Sequence, residues 1–155
     1  MSLRDLAKIK KEGGRTYRRQ LTGKEVRRMR KRGYDAEREI VHRLREAGFN
    51  AVRIPVSAPS NEPLPDIFAV KGNAILAVEV KSQVSYAYFK KKQVDKLWKF
   101  LEMFDQYPLR VAVVAAKFKW GGWALRIVDK PRDYSIKRGE GLSFEDFLET
   151  YAKQL

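Results

Sequence analysis

The residues of this sequence with the clearest chemical potential are two acids and a lysine in a pair of neighbouring apolar segments. Asp66 opens the first segment, and Glu79 and Lys81 close the second. The Gly-Asn pair between the segments predicts a two-residue β-hairpin turn that pairs residue 71 with residue 74. Every later cross-strand pair then keeps the same sum of residue numbers, so Asp66 lies opposite Glu79. Strand alternation places Lys81 on the same face as Glu79.

This arrangement predicts a metal site, because opposed carboxylates on an otherwise apolar face destabilise a sheet. The carboxylates of Asp66 and Glu79, the carbonyl oxygen of Val80 and water are ligands that favour Mg²⁺ or Mn²⁺ over zinc. Glu37 lies at helical spacing from the apolar residues of a predicted helix and should face the sheet. The structural alternative is a buried ion pair between Glu79 and Lys81, with Asp66 capping a strand. The register and the helix acid together favour the metal site.

The composition limits the chemistry that the chain can perform. Its 155 residues are 44% hydrophobic, which suffices for one ordinary domain, and they include no cysteine and one histidine, His42. Disulfides, zinc–cysteine sites, cysteine nucleophiles and histidine metal clusters are therefore excluded. No apolar run approaches a membrane span and no secretion signal is visible, so we expect a cytoplasmic protein without membrane insertion. Any catalysis must depend on carboxylates and lysine.

The positive charge is concentrated near the N-terminus. Of the net charge of +14, residues 1–32 contribute 13 Lys or Arg and 3 Asp or Glu. We therefore divide the chain into a basic arm, 1–32, and a domain, 33–155. Such clustering favours nucleic acid, because each neutralised phosphate releases counterions, although a solvated helix face, an anionic membrane or a charged tail are alternatives. The predicted phosphate contacts of the arm are Arg27, Arg28, Arg30, Lys31 and Arg32.

Periodicity and turn signals predict a small α/β domain with a mixed sheet. Apolar residues on both faces of the central strands indicate a sheet covered on both sides. On the helix that carries Glu37, the acids Glu39 and Glu46 and the only histidine fall off the buried stripe and are interpreted as solvated. Thr22 and Glu25 form a predicted capping box at the start of a short helix that ends near residue 31. The other predicted elements are a helix over 34–47, strands over 51–56, 65–70 and 74–82, a helix over 88–104, strands over 109–117 and 123–128, and a helix over 144–152.

Pro65-Asp66, twelve intervening residues and Glu79-Val80-Lys81 form a pattern that resembles the PD-(D/E)xK nuclease superfamily. Over about residues 31–117 the chain is similar to one branch, the archaeal Holliday-junction resolvases. The resemblance implies a restriction-endonuclease-like mixed β-sheet flanked by helices. It does not cover residues 1–30, so the basic arm is an N-terminal extension, and only its own local signals predict that it is helical. The further matching residues are Arg32-Gly33, Ala36-Glu37-Arg38-Glu39, Gly48-Phe49, Val52-Arg53, Ser57, Tyr88 and Gln93.

The same resemblance implies a homodimeric, Mg²⁺-dependent endonuclease that nicks two opposed strands of a four-way DNA junction. Two alternatives stay open. Another branched-DNA or repair nuclease of the superfamily would be separated by substrate competition, and a non-catalytic DNA-binding protein with a structural acidic cluster would be separated by metal binding. The implied roles are acidic site residues at Glu37, Asp66 and Glu79, a catalytic lysine at Lys81, a loop serine at Ser57, and DNA or phosphate contacts at Arg38 and Arg53.

Overall fold

The computed structural model describes residues 19–55 and 61–152. The chain divides into two units, Met1–Arg30 and Lys31–Leu155, and the functional division at residue 32 stays a prediction. None of the described helices combines the length and the apolar character needed to cross a membrane. The helices are α1 (Gly23–Glu46), α2 (Lys91–Glu102) and α3 (Phe144–Ala152). The strands are β1 (Asn50–Arg53), β2 (Ile67–Lys71), β3 (Ala74–Gln83), β4 (Tyr86–Phe89), β5 (Leu109–Phe118), β6 (Gly122–Val128) and β7 (Tyr134–Lys137).

A five-stranded mixed sheet in the order β1-β2-β3-β5-β6 forms the centre of the second unit. Strands β3 and β5 are parallel, and the other neighbouring pairs are antiparallel. The predicted hairpin register is confirmed, because Lys71 pairs with Ala74. Gly72 has a φ of 55°, which the turn requires and glycine adopts without a steric penalty. Extending the register by one residue beyond β2 brings Asp66 opposite Glu79.

Apolar side chains cover both faces of this sheet, as predicted, and the α/β architecture is confirmed. Helices α1 and α3 contribute to the core on one face, and α2 with the β4–β7 ribbon contributes to the core on the other. The first core includes Ile40, Leu44, Ile67, Leu76 and Phe147. The second includes Ile75, Ala77, Phe89, Leu97, Val114 and Ile136. The sheet edge that carries the acids is therefore held between two apolar layers.

The predicted helix over 88–104 is wrong at its start, where the structure has the short strand β4. Burial alternates along β4, with Tyr88 exposed and Phe89 buried, which is the period-two pattern of a strand. Its partner β7 was not predicted. Asp133, just before β7, accepts a hydrogen bond of 2.6 Å from the backbone N–H of Lys91. The ribbon thereby caps the first turn of α2, a long-range contact that local periodicity cannot reveal.

A single helix α1 replaces the two predicted helices. Its predicted capping box is confirmed: the N–H of Glu25 donates to the Thr22 hydroxyl at 3.2 Å, and the N–H of Thr22 donates to the Glu25 carboxylate at 2.9 Å. Gly33 does not end the helix. A glycine inside a helix costs only about 1 kcal/mol relative to alanine, so neighbouring residues can maintain the helix through it.

Candidate active site

The candidate site lies at the end of the sheet where β1 ends, β2 begins and β3 approaches its last residues. Asp66 is fixed there from both neighbouring strands. The N–H of Ile54, just after β1, donates to the Asp66 carbonyl at 2.8 Å. The N–H of Val80, in β3, donates to Oδ2 of the Asp66 side chain, also at 2.8 Å. The backbone thus holds the Asp66 carboxylate against the part of β3 that carries Glu79.

The two carboxylates are short of compensating positive charge. Burial raises the pKa of Asp66 above its ordinary value; the hydrogen bond from Val80 acts against this shift, and the charge of Glu37 adds to it. Burial also raises the pKa of Glu79, followed by repulsion from Asp66, while the ammonium of Lys81 lowers it without cancelling the rise. A pair of desolvated carboxylates in this state fits a hard divalent cation, which supplies the missing charge.

Val80 adds a backbone oxygen to this donor set. Its N–H faces the β2 side of β3, because it donates to Asp66. In an extended strand the carbonyl of a residue points to the same side as its N–H, and the last Cα pair between β2 and β3 is Ile67 with Val78. The Val80 carbonyl therefore faces the same side as the acid pair, beyond the end of the ladder, which agrees with its predicted role as a ligand.

Glu37 faces the sheet, as predicted, but its carboxylate is engaged by an arginine. Oε2 of Glu37 accepts a hydrogen bond from Nε of Arg53, and both side chains are largely buried. The Arg53 guanidinium also lies over the ring of Tyr34, 4.6 Å from its centroid. Within the described ranges, no three Asp, Glu, His or Cys side chains are grouped to hold a metal ion. The metal role of Glu37 and the phosphate role of Arg53 stay predictions.

Lys81 and Gln93 complete the surroundings of Glu79. Nζ of Lys81 is 5.5 Å from the centroid of the Phe89 ring, on the face covered by α2. Oε1 of Gln93 accepts a hydrogen bond of 3.1 Å from the backbone N–H of Lys90, and its Nε2 lies 3.5 Å from Oε1 of Glu79. Sequence reasoning gave Gln93 no role. The predicted helix start at residue 88 hid the signal, since only a start at Lys91 puts Gln93 in the first turn, where glutamine reaches back to the helix terminus.

A groove lined with lysines lies beside the acid pair. Four lysines and Asp95 of α2 line it together with Asn61 and Pro63 of the loop before β2, so its charge is positive in excess. Lys96 is close enough to Glu79 to lower the pKa of that carboxyl group. The groove is suited to a chain of phosphates that leads toward the acids. Its lysines are Lys91, Lys92, Lys96 and Lys99.

The remaining predicted contacts are exposed or fall outside the described residues. Arg38 is exposed and lies 3.5 Å from the carboxylate of Asp35, which also accepts a contact of 3.1 Å from Lys31. Ser57 lies outside the described residues. The other predicted arm contacts are exposed on α1, and the DNA-binding role of all these residues stays a prediction; they are Arg27, Arg28, Arg30 and Arg32.

Glu39 differs from the prediction of a solvated acid. Its carboxylate accepts hydrogen bonds from Nζ of Lys117 and from Nε1 of Trp123, the latter at 3.0 Å. The guanidinium of Arg43 is 3.6 Å away. Both sheet partners come from β5 and β6, more than 70 residues later in the chain. Helical periodicity places Glu39 off the buried stripe and gives no information about these partners, so the prediction of a solvated acid is wrong.

An aspartate opposite a Glu-x-Lys strand, at the end of a mixed sheet flanked by helices, defines the PD-(D/E)xK class of nucleases. A family model described as archaeal Holliday junction resolvase (hjc) matches residues 28–155, and the chain belongs to this family. The residues matched by the family model include Asp66, Glu79 and Lys81 of the candidate site.

Several relatives agree with this assignment. The chain is 42% identical over 125 residues to the crossover junction endodeoxyribonuclease Hje of Saccharolobus solfataricus, covering 79% of this chain and 91% of the relative. It is 43% identical over 124 residues to the Hje of Sulfolobus acidocaldarius, covering 79% and 85%. The solved structure of Archaeoglobus fulgidus Hjc, a Holliday junction resolvase, superposes with a TM-score of 0.61 at 26% identity, covering 75% of this chain and 99% of that one.

Proposed function

We propose that this chain is a metal-dependent, structure-selective endodeoxyribonuclease that resolves four-way DNA junctions by paired symmetric nicks. The observation that carries the proposal is the half-buried pair of Asp66 and Glu79 beside Lys81, in a chain of the archaeal Holliday junction resolvase family. Its relatives, which are named crossover junction endodeoxyribonucleases, support nuclease activity. The metal, the dimer and the roles of single residues are our additions to it.

The proposed cofactor is Mg²⁺, with Mn²⁺ as a substitute. Asp66, Glu79 and the carbonyl of Val80 would hold it. When bound, the ion supplies a water of lowered pKa and neutralises charge that develops on the phosphoryl group. The protein contributes a site in which both carboxylates are already desolvated and Asp66 is fixed by the Val80 N–H, so little reorganisation precedes the reaction.

Lys81 and Arg53 would act on the phosphate itself. The Lys81 ammonium neutralises a non-bridging oxygen or orients the attacking water. The Arg53 guanidinium offers a bidentate, charge-assisted contact to phosphate. Arg53 contacts Glu37 in the described structure, so engagement of phosphate by Arg53 would release the Glu37 carboxylate toward water or a second ion.

Two symmetric cuts across a two-fold junction require two sites related by a two-fold axis, so we propose a homodimer. Selection of the junction would depend on its bend and branch shape more than on its sequence. The basic residues of the arm and the lysine groove beside the site would hold the phosphates of the junction arms. The protein must be in the compartment that contains the DNA to reach this substrate. We therefore also propose a cytoplasmic location.

The test is a cleavage assay on a four-way junction in which each strand is labelled in turn, beside the matching linear duplex, with and without Mg²⁺. We expect symmetric nicks in opposed strands of the junction and little cleavage of the duplex. Glu79→Gln should abolish nicking, and Glu46→Gln, at an exposed acid paired with His42, is the matched control that should retain it. Equal cleavage of the duplex would indicate a different nuclease, and binding without cleavage in either Mg²⁺ or Mn²⁺ would indicate a non-catalytic DNA-binding protein.

A further inference from the structure

An exposed tryptophan stands at the tip of the hairpin between β5 and β6. Trp120 is 83% exposed, whereas tryptophan side chains are usually well covered. Its φ of 61° lies in the left-handed region, which a bulky residue rarely occupies and which glycine would occupy without strain. The chain thus tolerates an unfavourable backbone conformation and an uncovered indole at one position. Such local strain is concentrated at functional sites.

The hairpin tip is fixed by contacts to its neighbours. The Arg138 guanidinium donates hydrogen bonds to the carbonyls of Val84 and Lys119, the latter at 2.5 Å. The N–H of Lys119 donates to the carbonyl of Gln83 at 3.0 Å, which continues the pairing from β3 into the tip. These contacts span the loop after β3 and the hairpin. Trp120 is therefore presented on a supported tip.

The tip lies at the same end of the sheet as the acid pair. Strands β3 and β5 run parallel, and Lys81 pairs with Ala116 while Gln83 pairs with Phe118. The tip, residues 119–121, begins three residues beyond the level of Lys81, which corresponds to ~10 Å along the strands, and Trp120 is one residue further on. One nucleotide step along a DNA strand is about 3.4 Å. The Trp120 ring is thus within reach of a nucleotide a few steps along the strand from a phosphate held beside Lys81.

The charge around the ring indicates the kind of partner. Nζ of Lys119 is 4.5 Å from the centroid of the Trp120 ring, and Arg138 lies beneath the same tip. A tryptophan among cations is suited to a partner that combines negative charge with flat apolar surface. Nucleotides have both, because each base has a π-face and each phosphate a negative charge.

We propose that Trp120 stacks on a nucleobase at the branch point of the DNA substrate. The inference rests on the proposed function, since the same substrate must occupy the acid pair. Bases inside a duplex are already stacked on both faces, whereas bases that flank a branch can expose one face. Stacking on an aromatic side chain tolerates any base. Trp120 would therefore help to select the branch without reading its sequence.

The experiment measures DNA binding by the full-length chain in EDTA, where cleavage is prevented. A four-way junction carries 2-aminopurine either beside the branch point or within an arm, and the matching linear duplex is the second substrate. Trp120→Ala should weaken junction binding about tenfold or more and remove fluorescence quenching at the branch position. Trp120→Phe should retain most of both effects, and the affinity for the duplex should not change.

Trp120→Gly separates stacking from folding, because it removes the ring and relieves the left-handed strain. We expect it to unfold at the wild-type temperature or above it and still to bind the junction as weakly as Trp120→Ala. Unchanged junction affinity and quenching in both variants would overturn the inference, as would an equal loss on junction and duplex. Unchanged junction binding combined with loss of a protein partner would assign Trp120 to protein recognition instead. If the wild-type chain itself neither binds nor cuts the junction, the proposed function fails.

Discussion

Two acidic clusters lie at the same end of the sheet, and they differ in how their charge is balanced. Glu39 is matched by the ammonium of Lys117 and by the indole N–H of Trp123. Asp66 and Glu79 have Lys81 nearby, yet burial and mutual repulsion still raise the pKa of each. Similar residue types in similar positions therefore differ in how fully the protein compensates their charge. Under the proposed function, the compensated carboxylate holds elements together and the uncompensated pair binds the metal.

The comparison predicts opposite responses to removing the charge. At Glu39 a neutral amide would leave the ammonium of Lys117 without its main partner, which destabilises the fold. At Glu79 a neutral amide would replace a carboxyl group whose ionisation burial already disfavours, so the change costs activity and spares the fold.

The largest expected effect is on cleavage. Asp66→Asn and Glu79→Gln should each lower the single-turnover rate of junction nicking by on the order of 1000-fold or more, because each removes a proposed metal ligand and its charge. Binding to the junction in EDTA should be retained, since the phosphate-binding surface is unchanged. Glu39→Gln is the matched control and should cleave near the wild-type rate. Near wild-type cleavage by either site variant would eliminate the distinction between the clusters.

The next effect concerns stability against pH. Because burial raises the pKa of Asp66 and Glu79, the folded protein retains protons that the unfolded chain has released. Its free energy of unfolding should therefore fall as the pH rises above about 4, the ordinary range of these groups, through neutrality. Mg²⁺ binding to the ionised pair should restore ~2.7 kcal/mol at a concentration 100 times its Kd.

Denaturant titrations at pH 5 and pH 8, in EDTA and in Mg²⁺, measure both terms. Glu79→Gln supplies the control, because it removes one of the two titrating groups and should flatten the pH dependence and abolish most of the Mg²⁺ effect. A stability that is independent of Mg²⁺ at pH 8 in the wild-type chain would contradict a metal site at this pair.

A smaller effect is expected at Glu39, whose charge is matched by Lys117 and Trp123. Glu39→Gln should lower the free energy of unfolding by about 1 kcal/mol, because a half-exposed ion pair and one indole hydrogen bond are lost or weakened. Thermal unfolding in low and high salt would show it, with a smaller difference from wild type at high salt. Glu46→Gln, at an exposed helix pair, is the matched comparison and should change stability less. An equal change in the two variants would mean that the sheet partners of Glu39 contribute nothing.

The positions of Asp66, Glu79 and Glu37 could be predicted from the sequence because residue spacing alone fixes their geometry. A two-residue turn determines the register of its hairpin, so the opposition of Asp66 and Glu79 followed from counting. Helical periodicity placed Glu37 toward the sheet for the same reason. Both inferences use contacts within a single local element, whose geometry the backbone fixes.

Contacts between distant segments were beyond such reasoning. The predicted helix over 88–104 includes the last two residues of β4, because aromatic and lysine residues also fit a helical stripe. The partner strand β7 lies about 45 residues later. The partners of Glu39 and the pairing of Glu37 with Arg53 depend on which side chains meet across the fold. Local secondary-structure propensity contains no information about side-chain contacts between distant segments, and these contacts can override the propensity.

The smallest expected effect is at Gln93, which connects Glu79 to the N-terminus of α2. Its amide oxygen accepts the Lys90 N–H, which leaves the amide nitrogen directed toward Glu79. Gln93→Glu preserves the acceptor for Lys90 and removes the donor, whereas Gln93→Met removes both. If the donor orients Glu79, both variants should nick the junction up to about fivefold more slowly at saturating Mg²⁺, the equivalent of one hydrogen bond of about 1 kcal/mol. Only Gln93→Met should also lower the unfolding temperature. A Gln93→Glu variant with the wild-type nicking rate would reduce Gln93 to a helix cap and leave Glu79 oriented by β3 alone.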